Sequence, residues 1–186
     1  MATALSILES VLTKCALSYA VASVVSSDQQ VAEAVDLLNE TGKDLAARGE
    51  WQALLRSAPV GALPLDCAKI SAVTLDAGGL AAVVTAPEVW QFLLQSASTR
   101  AYYRIAGGVV EIAPPGSATV HYWSRNWSSS GESVTGNADT ISLPENCMIS
   151  GTYYRWKRKK GFPFDDEMAQ HEADVAAAQA ADRGVR

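Results

Sequence analysis

The chain has 186 residues, which is enough for one domain or for two small domains. Hydrophobic residues make up 48% and charged residues 19%, and this balance excludes a disordered chain. The net charge of −5 argues against a domain whose main task is to bind nucleic acid. Alanine occurs 31 times, which favours helices and close packing between them.

The N-terminal part predicts two helices. Leu5, Leu8, Val11 and Leu12 recur on one face of residues 4–14, and either Thr3 or a Ser6–Glu9 capping box begins this helix. A loop over residues 18–26 follows. The pattern Ser27-x-x-Gln30 predicts that a capping box starts the second helix, and Arg48-Gly49 predicts its end.

An apolar run over residues 15–25 has the small-x-small form of a signal cleavage site at Ala20-Val21-Ala22. The first fourteen residues carry no basic cluster, and the run is too short to cross a bilayer. We therefore expect a soluble chain made inside the cell, with no membrane partner.

The middle of the chain predicts short strands separated by turns. Proline and glycine interrupt residues 58–138, and a helix over residues 87–95, with Thr85 as its N-cap, lies among the strands. The runs flanking Ala106-Gly107-Gly108 predict a hairpin. The predicted strands are 68–75, 80–85, 101–105, 109–113 and 118–124. They indicate a small antiparallel sheet or sandwich.

The C-terminal part predicts a helical hairpin. Pro144 is suited to the first turn of one helix, which ends at Gly161, and a second helix covers 165–181. The expected inner side of the first helix carries Ile149, Thr152, Tyr153 and Trp156, and that of the second carries Met168, His171, Val175 and Ala178. The predicted fold class is α+β. Terminal helices 1–57 and 142–186 form a bundle around an inserted antiparallel β domain at 58–141.

Cysteine usage gives no sign of a metal or disulfide framework. Cys15, Cys67 and Cys147 are widely spaced and form no CxxC pair, so we expect three reduced thiols.

Catalytic motifs are incomplete. His171-Glu172 begins an HExxH pattern, but Val175 stands where the second histidine must be. Gly42-Lys43 resembles the end of a P-loop, but Leu37 replaces the first glycine and Asp44 replaces the magnesium-binding hydroxyl residue. We expect no cofactor, no metal and no enzymatic activity.

Residues 155–160 form the most basic segment, with five cations and one tryptophan. One interpretation is a polyanion contact through phosphate pairing and stacking. The other is that these cations complement a helix C-terminus. The acids Asp165, Asp166, Glu167, Glu172 and Asp174 of the next helix would then lie beside them and cancel their charge. We favour the second interpretation and keep a DNA-binding module as the alternative.

The order of the motifs resembles the head-to-tail adaptor (connector) proteins of tailed bacteriophages, including the tail tubular protein A-like group. The resemblance covers nearly the whole chain and depends on the ordered set more than on any single motif. The segments of this chain that form the ordered set are Leu37–Ala46, Glu50–Leu54, Leu63–Asp66, Tyr103–Gly108, Tyr122–Trp127, Ala138–Thr140, Leu143–Glu145, Gly151–Lys157 and Lys160–Phe164.

The resemblance implies a structural virion protein without enzymatic activity. It implies a homo-oligomeric ring of twelve copies beneath the portal protein, at the neck of the virion. The ring would bind the portal, bind the next tail or neck component (a nozzle or stopper), and let genomic DNA pass without sequence-specific binding. Assembly would occur in the host cytoplasm.

Two candidate surfaces follow. The portal or ring interface comprises Arg155, Lys157, Arg158, Lys159, Lys160, Val175, Ala178, Arg183 and Arg186. Its alanine-rich C-terminal helix is suited to docking, although a frayed terminal helix is the alternative. The β-domain interface comprises Trp123, Arg125 and Trp127, residue types that anchor interfaces, although a sheet packing its own aromatics accounts for them equally well.

Overall fold

The structure is a computed structural model and describes residues 2–16, 22–96 and 98–184. Helices lie towards both ends of the chain and strands lie between them, so the predicted α+β class is confirmed. The chain divides into a helical unit, residues 1–54 with 125–186, and a β unit, Leu55–Ser124. The sequence prediction drew the corresponding boundaries at 57/58 and 141/142.

Four helices form the helical unit: α1 (Ala4–Lys14), α2 (Gln29–Arg48), α4 (Glu145–Lys160) and α5 (Asp165–Asp182). Helix α4 packs against the other three. Thr3 caps α1 by accepting a hydrogen bond from the Ser6 amide. Asp28 rather than Ser27 caps α2, because its Oδ1 accepts from the amides of Gln30 and Val31. Residues 18–21 of the predicted loop 18–26 lie outside the described residues, and residues 22–26 form neither helix nor strand, as predicted.

The buried side of α4 differs from the prediction. Ile149, Tyr153 and Trp156 are only half-buried, and Met168 on α5 is 39% exposed. The buried residues of α4 are Cys147, Met148, Ser150, Gly151, Thr152, Tyr154 and Arg155. Small side chains on this side let α2 and α5 approach closely: a Cβ on Gly151 would lie 2.6 Å from Thr41 Cγ2 and 2.7 Å from His171 Cε1. The buried side of α4 is therefore determined by the space available between the helices rather than by the hydrophobicity of its residues.

The β unit contains two three-stranded sheets. The first has the order β1 (Leu55–Pro59), β6 (Ala118–Ser124) and β2 (Cys67–Leu75), with antiparallel pairing throughout. The second has the order β3 (Ala82–Val83), β4 (Tyr102–Ala106) and β5 (Val109–Ala113). Strand β3 runs parallel to β4 and covers only two residues of the predicted 80–85 run.

Two apolar clusters hold the β unit together. Val73, Val110, Ile112, Ala118 and Val120 form a core shared by strands of both sheets. Helix α3 (Pro87–Gln95) packs Trp90 and Leu93 against Ala113 of β5. Its N-cap is Ala86 rather than the predicted Thr85.

The predicted hairpin is present as β4 and β5. Its two-residue turn, Gly107-Gly108, has φ values of 57° and 78°. Tight hairpin turns of type I′ require positive φ at both central residues, which glycine adopts without a steric penalty.

Candidate interaction surfaces

The basic segment 155–160 forms the last two turns of α4, and its cations lie along α2. Arg158 Nη2 is 3.7 Å from Glu40 Oε1, and Lys160 Nζ is 2.6 Å from Glu33 Oε2. Lys159 Nζ lies 3.6 Å from Glu33 Oε1. Because α2 and α4 are antiparallel, the acids at positions 33, 40 and 44 of α2 face the basic turns of α4 in order.

The prediction that the acids of α5 compensate these cations was largely wrong. Among the ion pairs of the described residues, one joins α4 to α5, between Lys157 Nζ and Glu167 Oε1 at 2.5 Å. Glu172 instead pairs with Arg48 of α2 at 2.6 Å. The acids that compensate the basic segment therefore come mainly from α2, more than a hundred residues earlier in the chain, where sequence spacing gives no signal.

Arg155 is the buried member of the segment, with 4% of its surface exposed. Its Nη2 donates to Asp44 Oδ2 at 2.6 Å, and its Nη1 donates to the Gly151 carbonyl at 3.1 Å and to Thr41 Oγ1 at 3.3 Å. Glu40 Oε1 lies 3.4 Å from its Nε. A guanidinium this deeply buried and this well bonded is part of the α2–α4 packing, so Arg155 is corrected from a surface contact to an internal one.

The carboxylates around this network are held in their charged form. Burial alone would raise the pKa of Asp44, but hydrogen bonds from Arg48 and Arg155 hold it below its ordinary value. The hydrogen bond from Lys160 lowers the pKa of Glu33, and the one from Lys157 lowers that of Glu167. These acids carry their full charge near neutral pH and compensate the cations beside them.

The other predicted residues of the C-terminal surface are distributed between core and surface. Val175 is buried and packs within the helical unit, so it cannot contact a partner directly. Ala178 is half-buried, Arg183 is exposed at the C-terminal end of α5, and Arg186 lies outside the described residues. Arg158 and Lys159 are each 52% exposed. The exposed part of the predicted surface is thus Arg158, Lys159, Lys160 and Arg183.

The predicted aromatic set Trp123, Arg125 and Trp127 does not form one β-domain surface. Trp123 is half-buried on β6, with the Lys69 ammonium 5.4 Å from its ring centroid. Arg125 is exposed and belongs, like Trp127, to the helical unit. Trp127 is fully buried, where its Nε1 donates to the Glu132 carbonyl at 3.1 Å. Trp127 is therefore a core residue.

Sequence reasoning missed several exposed apolar residues of the β unit. Leu65 is 99% exposed in the loop before β2, and Phe92 is 69% exposed on α3. Val83 and Ile105 are 59% and 52% exposed. Val89 and Phe92 are three residues apart on α3 and are exposed, whereas Trp90 and Leu93, also three residues apart, are buried. Helical periodicity could therefore have predicted that Phe92 is exposed.

Two of the three cysteines, Cys15 and Cys147, are buried. Burial raises the pKa of Cys15 to about 12 and that of Cys147 to about 11, which keeps both thiols protonated. Among the residues that the structure describes, no three His, Cys, Asp or Glu side chains converge as a metal site. Within the same residues, no helix combines the length and apolar character needed to cross a bilayer.

Comparison with known protein families places the chain among the bacteriophage adaptor proteins, which are structural components of the virion. The chain belongs to the SU10 adaptor protein family, whose match covers residues 2–186. Comparison with curated proteins gives no match. The resemblance to phage adaptors is therefore confirmed at the level of the family, and it implies a non-enzymatic protein that interacts with other head–tail proteins of the phage.

Proposed function

We propose that this chain is a head-to-tail adaptor that forms a ring beneath the portal and continues the DNA channel towards the tail, with the architecture of the tail tubular protein A-like group. The observation that carries the proposal is the adaptor-family match over residues 2–186, which leaves almost no part of the chain outside the family. The ring contains twelve copies, lies at the neck of the virion, and is assembled in the host cytoplasm. Its side-to-side contacts are heterologous, since only such contacts close into a ring of this kind.

The C-terminal hairpin α4–α5 is the proposed portal-binding element. Arg158, Lys159 and Arg183 extend from it into solvent and supply the polar rim of an interface. The buried Arg155 and Val175 support this surface from beneath, and Arg155 joins α4 to Asp44 of α2. The other basic residues, Lys157 and Lys160, are held by Glu167 and Glu33 and contribute through the shape of the hairpin.

The β unit is the proposed contact for the next tail or neck component, a nozzle or stopper. Trp123 on β6 and the exposed Leu65 and Phe92 supply the aromatic and aliphatic area that interface anchors require. These side chains all belong to the β unit, whereas the C-terminal hairpin belongs to the helical unit.

The ion pairs of the basic segment favour this function over a DNA-binding module. Each of the five cations has a carboxylate within 4 Å, and Arg155 is buried. A phosphate that paired with Arg155, Lys157 or Lys160 would have to compete with carboxylates that lie within 3.4 Å of them. Genomic DNA is therefore proposed to pass through the channel without specific binding.

A binding experiment with the purified portal tests the hairpin surface. The triple variant Arg158→Glu, Lys159→Glu and Arg183→Glu should weaken portal binding by about tenfold, the loss of ~1.4 kcal/mol. The matched control reverses the same number of cations elsewhere, at Lys14, Lys43 and Arg100, all of which are exposed. Equal weakening by both variants would contradict the assignment of the hairpin as the portal contact.

The same proteins separate the two functions. A DNA-binding module would bind duplex DNA with an affinity that falls steeply with salt, and the triple variant would abolish that binding. The adaptor function predicts that the wild-type chain binds the portal and shows no such salt-dependent DNA affinity.

A further inference from the structure

Helix α5 is attached to the rest of the helical unit by very few buried side chains. Of its described residues, only His171 and Val175 are buried. Its surface tethers are the Lys157–Glu167 and Arg48–Glu172 ion pairs and a 2.8 Å hydrogen bond from the Gln52 amide to Asp182 Oδ2. Surface ion pairs contribute little stability, so the docking of α5 depends strongly on these two buried residues.

His171 is the more unusual of the two anchors, because it is a fully buried titratable group. Its Nδ1 lies 3.2 Å from Ser150 Oγ, and its ring centroid is 5.2 Å from that of Tyr154. Its Nε2 is buried and has no hydrogen-bond partner among the described residues. Because a protonated imidazole has two N–H donors, the protonated ring would bury an unsatisfied N–H as well as a charge.

The charges that face His171 come from three helices and offer no net compensation. Helix α4 contributes the Arg155 cation and the ring of Tyr154, and α2 contributes Asp44 and Arg48. Within α5 itself, Glu172 is the adjacent anion. Asp44 is already bonded to both Arg155 and Arg48, and Glu172 is bonded to Arg48, so each anion has its own cation. A positive charge on His171 would therefore lie unpaired in the interior.

We propose that His171 makes α5 an acid-sensitive latch: protonation of its imidazole at mildly acidic pH undocks α5 from α2 and α4. The undocked helix exposes His171 to water, where the imidazolium is hydrated. An isolated helix of this length is only marginally stable in water, so undocking also loosens the backbone hydrogen bonds of α5. This inference concerns the isolated chain and does not depend on the proposed binding to the portal.

The direction of the pH dependence follows from the folded environment. Burial first, and then the Arg155 cation, lower the pKa of His171 below its ordinary value of 6.5. Above pH 6.5, His171 is neutral in both states and contributes its full free energy to the docking of α5. This contribution is lost as the pH falls from 6.5 towards the lower pKa of the docked state. In this window the undocking equilibrium takes up one proton, so it should shift by up to about tenfold per pH unit.

Hydrogen exchange of the intact chain tests the latch. Protection factors, which correct for the intrinsic pH dependence of exchange, are measured for the amides of α5 and α2 between about pH 7 and pH 5. The proposal predicts that protection in α5 falls by up to about tenfold per pH unit below about 6.5, whereas protection in α2 does not change. Carboxylates titrate lower, near about pH 4, and do not contribute in this range. Constant protection in α5 would overturn the proposal, and so would a parallel loss in α2.

Two substitutions identify the titrating group. His171→Phe and His171→Gln both remove the titration, one keeping a ring and the other keeping a polar side chain, and both should abolish the pH dependence in α5. His121→Gln is the matched control, because His121 is the other histidine of the chain and lies in the β unit. A pH dependence that persists in both His171 variants, or that disappears with His121→Gln, would overturn the proposal.

A further measurement on the wild type covers the case in which neither His171 variant folds. The imidazole Cε1 proton resonances of the two histidines are followed by NMR through the same titration. The proposal predicts that the midpoint for His171 lies below 6.5 and that α5 protection is lost in the pH range between that midpoint and 6.5. A His171 midpoint at or above 6.5 would overturn it.

Discussion

The buried pair Arg155–Asp44 gives the sharpest stability prediction, because its two halves differ in exposure. Asp44→Ala leaves the Arg155 guanidinium, 4% exposed, with Glu40 at 3.4 Å as its remaining anion. Removing the partner of a buried charge costs about 3–5 kcal/mol. The 53% exposure of Glu40 keeps its compensation weak, so we expect a loss of about 3 kcal/mol.

Arg155→Met should cost less, about 1 kcal/mol, although it removes the same ion pair. The methionine fills much of the space of the arginine stem, and no charge is left buried and unpaired. Asp44 is 30% exposed and keeps its 2.9 Å contact with Arg48. The double variant should be close in stability to Arg155→Met, because the penalty of Asp44→Ala arises from the retained guanidinium.

Urea unfolding followed by the helical circular dichroism signal measures these differences. With an m-value of ~2 kcal/mol/M, Asp44→Ala should lower the midpoint by about 1.5 M and Arg155→Met by about 0.5 M. Arg158→Met is the control, since its 3.7 Å pair with Glu40 is exposed and contributes about 0–1 kcal/mol. Equal losses for Asp44→Ala and Arg155→Met, or a larger loss for Arg155→Met, would refute the reasoning.

Three further predictions use the same protein. Gly42→Ala should destabilise the helical unit by about 1–3 kcal/mol, because its Cβ would overlap the Trp127 ring; Gly116→Ala, with no atom within 4 Å, should have little effect in the same urea assay. Glu33→Gln should flatten the acid dependence of stability, because a carboxylate of lowered pKa stabilises the fold above its ordinary pKa of about 4.5 and ceases to do so as the pH falls below it. Urea midpoints between about pH 5 and pH 3 measure that slope, and an unchanged slope would argue against the Glu33–Lys160 pair. At neutral pH an alkylating reagent should modify the half-buried Cys67 before the buried Cys15 and Cys147, as peptide mass mapping can show.

Local patterns in the sequence predict the elements whose formation depends on nearby residues. The bounds of α1 and α3 match the predicted 4–14 and 87–95, and the Gly107-Gly108 hairpin lies where predicted. Strand β1 was missed because Leu55–Pro59 has no apolar alternation; its pairing with β6, from Leu55 opposite Trp123 to Pro59 opposite Thr119, depends on a partner far along the chain.

The inner face of α4 shows why the candidate surface was only partly predictable. Hydrophobic periodicity favoured Ile149, Tyr153 and Trp156, whereas the buried side contains Gly151 and Arg155. A buried arginine is stable only beside its carboxylate, and Asp44 comes from another helix. The spacing of residues within α4 therefore cannot predict the pairing of Arg155 with Asp44.

The central claim, that this phage adaptor forms a ring on the portal, is tested most directly by electron microscopy of the protein mixed with its portal. The account predicts a ring of additional density beneath the portal that averages with twelve-fold symmetry, and that is absent from images of the portal alone. A monomer that leaves the portal images unchanged at saturating concentration would contradict it.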